Sequence, residues 1–295
     1  MIKYNPKDWL TFIFRLHKSD TIRQLAWMLL TIALYTAVVA ILEVKIFKLS
    51  DNSHLKNIPV MHSLLGFVIS MLLVFRTNTA YDRWWEGRKL WGALVNNSRN
   101  LAIKLSAILS EEDKANRTYF RRVIPLYASL LQMHLKDEGT RSALFSEDEY
   151  GHLLSNIDKE KHIPNQVARH LFKKVHDLHK AGAISGDELI VLNAELQSFT
   201  DICGACERIK NTPIPFSYSV FLKKFIFFYV MTLPFGYVFS LGFYAVPVVT
   251  FIFYVLASLE LIAEEIEEPF GVDANDLPMD KMVSNIKKHV AEILH

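Results

Sequence analysis

The order of apolar and polar positions divides this chain into stretches fit for lipid and stretches fit for water. Residues 26–42, 59–75, 216–239 and 244–262 are apolar runs, each close to the roughly 20 residues that cross a bilayer as a helix. A polar loop, 43–56, separates the first two. Pro234-Phe-Gly236 is expected to interrupt the third run, and the turn between the third and fourth must be very short. From Glu86 to Thr212 the chain is charged and cannot lie in lipid. Helical periodicity recurs there at 90–105 and 119–135, with no convincing strand alternation. Ser185-Gly-Asp-Glu188 has capping-box spacing, so a helix should begin there and run to about Ile209. Pro213 and Pro215 then break the chain, and a turn at Pro269-Phe-Gly271 precedes a last helix near 279–294. The first 20 residues place Trp9, Leu10, Phe12 and Phe14 among Lys7, Arg15 and Lys18, the pattern of an interfacial amphipathic helix rather than a signal peptide. The pattern as a whole predicts an all-α fold. It has an N-terminal segment 1–20, two transmembrane helices in 21–85, a helical domain 86–215, two further transmembrane helices in 216–263 and a charged C-terminal segment 264–295.

Phe67 to Trp85, FVISMLLVFRTNTAYDRWW, is the most informative stretch. It begins as membrane-grade sequence and runs without glycine or proline into Arg76, Asn78, Arg83, Trp84 and Trp85, as a helix leaving a bilayer would. Phe67, Met71 and Phe75 fall at i, i+4 and i+8 on one face. A stripe of this kind is ordinarily core packing. Several copies around an axis would instead make a dry constriction.

Charge sets the orientation. Lys3, Lys7, Arg15, Lys18 and Arg23 precede the first span, and Arg76, Arg83, Arg88 and Lys89 follow the second. The third and fourth spans have no Lys or Arg between them, whereas Lys45, Lys48 and Lys56 in the first loop are a counter-signal. The balance predicts a multi-pass protein of the plasma or inner membrane with both termini and the large polar segment in the cytoplasm. A 51% hydrophobic composition with 22% charged residues fits that segregation, and the net charge of +2 comes without any basic run for nucleic acid.

Candidate chemistry is sparse. Cys203-Gly-Ala-Cys206 has redox spacing but lacks a βαβ context, and a zinc site would need two further ligands. His170, His176 and His179 read as a solvated helix face. There is no nucleophile elbow, phosphate loop or metalloprotease motif. No enzyme, cofactor or metal site is assigned. Carboxylates Glu260, Glu264, Glu265, Glu267 and Glu268 close the fourth span. Glu260 is expected to be buried and to pair with Arg76 or Arg83, fixing the membrane–cytosol junction.

Several blocks carry a resemblance. They are Phe75-Arg76-Thr-Asn78, Arg83-Trp84-Trp85 with Glu86-Gly-Arg-Lys-Leu-Trp91, Cys203-Gly204 with Glu207-Arg208-Ile209, Pro213-Ile-Pro215, and Glu268-Pro-Phe-Gly271. In this order around four spans, the chain resembles the bestrophin family in its prokaryotic form. The resemblance implies a homopentamer in membrane lipid with an axial pore for monovalent ions. It places the pore neck at Phe67, Met71 and Phe75, whose eight-residue span rises about 12 Å. It implies a second constriction, the cytosolic aperture, at Asp187 or at the apolar Ile184. The acidic run of calcium-gated members is reduced here to Asp273 and Asp276. Calcium prefers six to eight oxygen ligands, so no calcium dependence is expected. The leading expectation is a channel with a slight lean to cations. The alternatives are an anion channel and a membrane-anchored helical scaffold.

Overall fold

The structure, a computed structural model, describes residues 21–47, 58–136, 157, 158 and 160–295. The expected interfacial helix at 1–20 and most of the first loop lie outside these residues. Among the described residues every regular element is helical: α1 (Thr21–Ile41), α2 (Ile58–Ile108), α3 (Lys114–Leu135), α4 (Ile163–Lys180), α5 (Gly186–Asn211), α6 (Phe216–Leu241), α7 (Ala245–Glu267) and α8 (Met279–Ile293).

Three helical stretches are long and apolar enough to cross a membrane: Thr21–Ile46, Ile58–Ile108 and Phe216–Glu267. The last contains two helices, α6 and α7, joined by a 3-10 turn at Gly242–Tyr244. Gly242 sits at φ 53, left-handed backbone that a side chain would strain. The expected interruption at Pro234 does not occur. Pro234 lies inside a continuous α6. Glu43 was expected in a polar loop, but a π-helical turn, Leu42–Ile46, prolongs α1 and buries it.

Two compact units form. One comprises the described residues within Ile2–Arg83 and Pro213–Glu267, and the other those within Trp84–Thr212 and Glu268–His295. In the first, apolar faces of α1, α2, α6 and α7 meet around Ile69, Leu73, Leu222, Val230, Leu233 and Val249. Polar contacts fix the helix directions. Lys223 near the start of α6 pairs with Glu264 near the end of α7 at 2.9 Å, so these two run antiparallel. Ser258 of α7 donates to Thr21 of α1 at 3.0 Å. Tyr218 donates to the Leu72 carbonyl at 3.0 Å, and His62 Nε2 lies 2.9 Å from the Thr232 hydroxyl, tying α2 to α6. Bonds of this kind satisfy polar groups that lipid could not.

The second unit has its own core of Trp91, Leu94, Leu101, Phe120, Ile124, Tyr127, Phe199 and Leu192. Arg117 is buried and donates to the carbonyls of Leu109 and Ser106, oxygens left unpaired where α2 ends. Asp113 caps α3 by accepting from Asn116 N–H. The Ser185–Glu188 capping box forms in full and starts α5 at Gly186, as its spacing predicts. The Cys203 and Cys206 thiols are buried in this core. Burial pushes Cys203 up to about 12 and Cys206 higher still, so neither is poised for redox chemistry.

Candidate functional site

The stripe on α2 faces outward. Phe67, Met71 and Phe75 are 68%, 47% and 57% exposed, and Leu64, Val60 and Val74 share the exposed side. The opposite side carries His62, Ile69, Leu73, Arg76 and Ala80, all buried. A 3.6-residue period explains the division. Among the described residues, the stripe is therefore not packed on another helix of its own chain. Asn78, one turn beyond Phe75, is also exposed.

Below it, the first unit holds a buried charge cluster. Arg76 is 2% exposed, and its Nη2 lies 2.7 Å from Glu267 Oε2. Its Nε lies 3.5 Å from Glu260 Oε2, an ion pair too long for a hydrogen bond. Glu267 does more than answer Arg76. Its Oε1 accepts the Ile214 N–H at 2.7 Å, and its carbonyl accepts Arg83 Nε at 3.1 Å. Glu260 thus pairs with Arg76, one of its two expected partners. The stronger partner is Glu267, which counting along the acidic cluster does not distinguish from its neighbours.

In the second unit, Trp84 donates from Nε1 to the Asn275 carbonyl at 3.0 Å. Trp85 takes the Arg88 guanidinium over its ring at 5.3 Å. The turn after Phe270 closes on itself, with Asp276 Oδ2 accepting the Asp273 N–H at 2.6 Å.

Of the two aperture candidates, Asp187 is exposed at the start of α5. Ile184 is 1% exposed and belongs to the core, with its carbonyl accepting from His179 Nδ1 at 2.8 Å. Its side chain cannot line an opening, which corrects that expectation. Exposed apolar side chains close to Asp187 are Ile190, 72% exposed and three residues on, and Val191, 49% exposed and four residues on.

One further cluster has no sequence signature. His134, His162 and Glu207 converge in the second unit from positions far apart in the chain. Burial raises the Glu207 carboxyl, but hydrogen bonds from His162 and His134 outweigh it and hold the group below its ordinary value.

Comparison with known proteins bears on this geometry. The family described as Bacterial/Fungal Bestrophin protein matches residues 1–292. The chain belongs to the bestrophin family. A relative from Nostoc sp., named a voltage-dependent anion channel-forming protein, is 36% identical over 248 residues, 80% of each chain. One of the same name from Escherichia coli is 31% identical over 294 residues, 97% of this chain and 92% of its own. The crystal structure of a bacterial bestrophin homologue from Klebsiella pneumoniae matches with a TM-score of 0.78 at 27% identity, covering 92% of this chain and 98% of that one. As a bestrophin, the chain is an all-α membrane ion channel and not an enzyme.

Proposed function

We propose that the chain assembles as a homopentamer whose α2 helices line a central pore and that it conducts small monovalent ions passively. The single observation that carries this is the apolar stripe Phe67, Met71 and Phe75, which the described residues leave exposed on α2. Five such stripes around an axis would form stacked apolar rings that offer ions no hydration, so the neck can gate by dewetting or widening. The buried Arg76–Glu267 pair anchors α2 below the neck and keeps the stripe aimed at the axis. Asp187, with Ile190 on the same face of α5, forms the cytosolic aperture. The chain is multi-pass, with both termini cytoplasmic. Arg76, Asn78, Arg83, Trp84, Trp85 and Glu260 mark the membrane–cytosol junction. Calcium is not required. Only two carboxylates, Asp273 and Asp276, stand in the five residues after the Pro-Phe-Gly turn, and Asp276 already accepts a backbone N–H.

A ring of exposed Asp187 carboxylates favours cations. The opposite preference is supported by the Nostoc and Escherichia coli relatives, both named as anion channels, and by aromatic ring edges, which present partial positive charge at Phe67 and Phe75. The reversal potential of the purified protein in a planar bilayer under a KCl gradient decides. A value near the potassium equilibrium potential supports the cation reading, and one near the chloride potential replaces it. Absence of current over many incorporations counts against conduction itself.

A further inference from the structure

His134 stands in the last turn of α3, His162 is the residue that caps α4, and Glu207 lies in the final third of α5. Both imidazole Nε2 atoms approach the same carboxylate oxygen, Glu207 Oε1, at 2.6 Å. The rings sit 4.6 Å apart between centroids. We propose that these three side chains bind a divalent transition-metal ion of the zinc class, with water completing the coordination shell.

The donor set is the first argument. Two imidazoles and a carboxylate suit zinc and exclude calcium or magnesium, which take oxygen ligands. The ligand atoms lie within 4.8 Å of one another. Zinc–nitrogen and zinc–oxygen bonds of about 2.0–2.2 Å set neighbouring tetrahedral ligands roughly 3.4 Å apart. The two Nε2···Oε1 distances need to open by less than about 1 Å, which side-chain rotation supplies. The side chains are 19%, 33% and 27% exposed, open enough for an ion to enter and for water to occupy a remaining position. The nearby thiols take no part, because Cys203 and Cys206 are buried in the core.

The hydrogen bonds already present say what the ion would displace. His162 Nδ1 accepts the Asn165 N–H at 3.2 Å, the cap bond of α4. In the neutral ring the proton therefore sits on Nε2 and is donated to Glu207. A metal on Nε2 takes that proton's place. The proton moves to Nδ1 and the cap bond is given up, so binding exchanges one backbone hydrogen bond for a metal–nitrogen bond. In return the ion ties α3, α4 and α5 together, and any ligand held only by the folded state raises its stability.

The test is calorimetric titration of the full-length channel in detergent with zinc chloride, with cobalt(II) absorption as the geometric probe. The informative variant is His162→Asn, because asparagine keeps a good helix cap while removing the ligand. Glu207→Gln serves beside it. Saturable binding of about one ion per chain is expected, with a rise in melting temperature and the intense visible absorption of four-coordinate cobalt. Each variant, at unchanged helicity and size-exclusion profile, should weaken binding by at least about tenfold. No saturable zinc binding by the unaltered protein overturns the proposal and leaves the cluster a hydrogen-bonded clamp. So does binding that neither variant weakens. None of these readouts depends on ion conduction.

Discussion

Arg76 and Glu267 show what a single residue contributes. Each is buried, so neither charge can be left alone without a desolvation penalty. Glu267→Ala should therefore destabilise the protein by about 3–5 kcal/mol, read as a large drop in melting temperature, with Arg76 left only its longer pair with Glu260 and the Ile214 N–H unsatisfied. Glu264→Ala removes only an exposed pair with Lys223 and should cost less than about 1 kcal/mol. The neck residues behave oppositely. Phe67→Ala and Met71→Ala remove exposed side chains, so melting temperature should hardly move while single-channel conductance rises. If both instead destabilise the protein and leave conductance alone, the stripe is packing. Cys203 and Cys206 should resist maleimide at pH 8 until the protein is unfolded, because burial suppresses both thiolates.

Helix ends and joins carry the element-scale effects. Ser185→Ala removes the cap of α5 and should cost about 1 kcal/mol. The same cap has a pH signature. Hydrogen bonds from the backbone and side chain of Ser185 hold Glu188 below its ordinary value of 4.5. A depressed folded value stabilises the protein above 4.5, and that contribution fades as pH falls through the folded value. Ser185→Ala should therefore lower the melting temperature more at pH 7 than at pH 3. Gly242→Ala forces a side chain into left-handed backbone between α6 and α7 and should cost about 1–2 kcal/mol.

Assembly and selectivity belong to the whole molecule. An apolar stripe on α2 that the described residues leave exposed can meet lipid or other copies of the chain. Native mass spectrometry from detergent is expected to give five chains, and a monomer would remove the pore. Charge reversal at the aperture tests selectivity. Asp187→Lys should move the reversal potential towards chloride, and an unchanged value would take Asp187 off the ion path. Raising calcium through the micromolar range should leave the current unaltered.

Much of this protein is legible along the chain. Apolar runs of spanning length, the capping box at Ser185 and the one-sided stripe on α2 all follow from local periodicity and local hydrogen bonding, which act over a few residues. Local signals mislead where packing outweighs them. Pro234 looked like an interruption, but the surrounding apolar packing carries α6 through it. Ile184 looked like an aperture residue because counting finds a position and not a direction, and burial decides the direction. The pairing of Arg76 with Glu267 and the meeting of His134, His162 and Glu207 lie beyond any spacing rule. Residues so far apart in the chain are brought within hydrogen-bond reach only by the packing of whole helices, and that is settled by the tertiary structure alone.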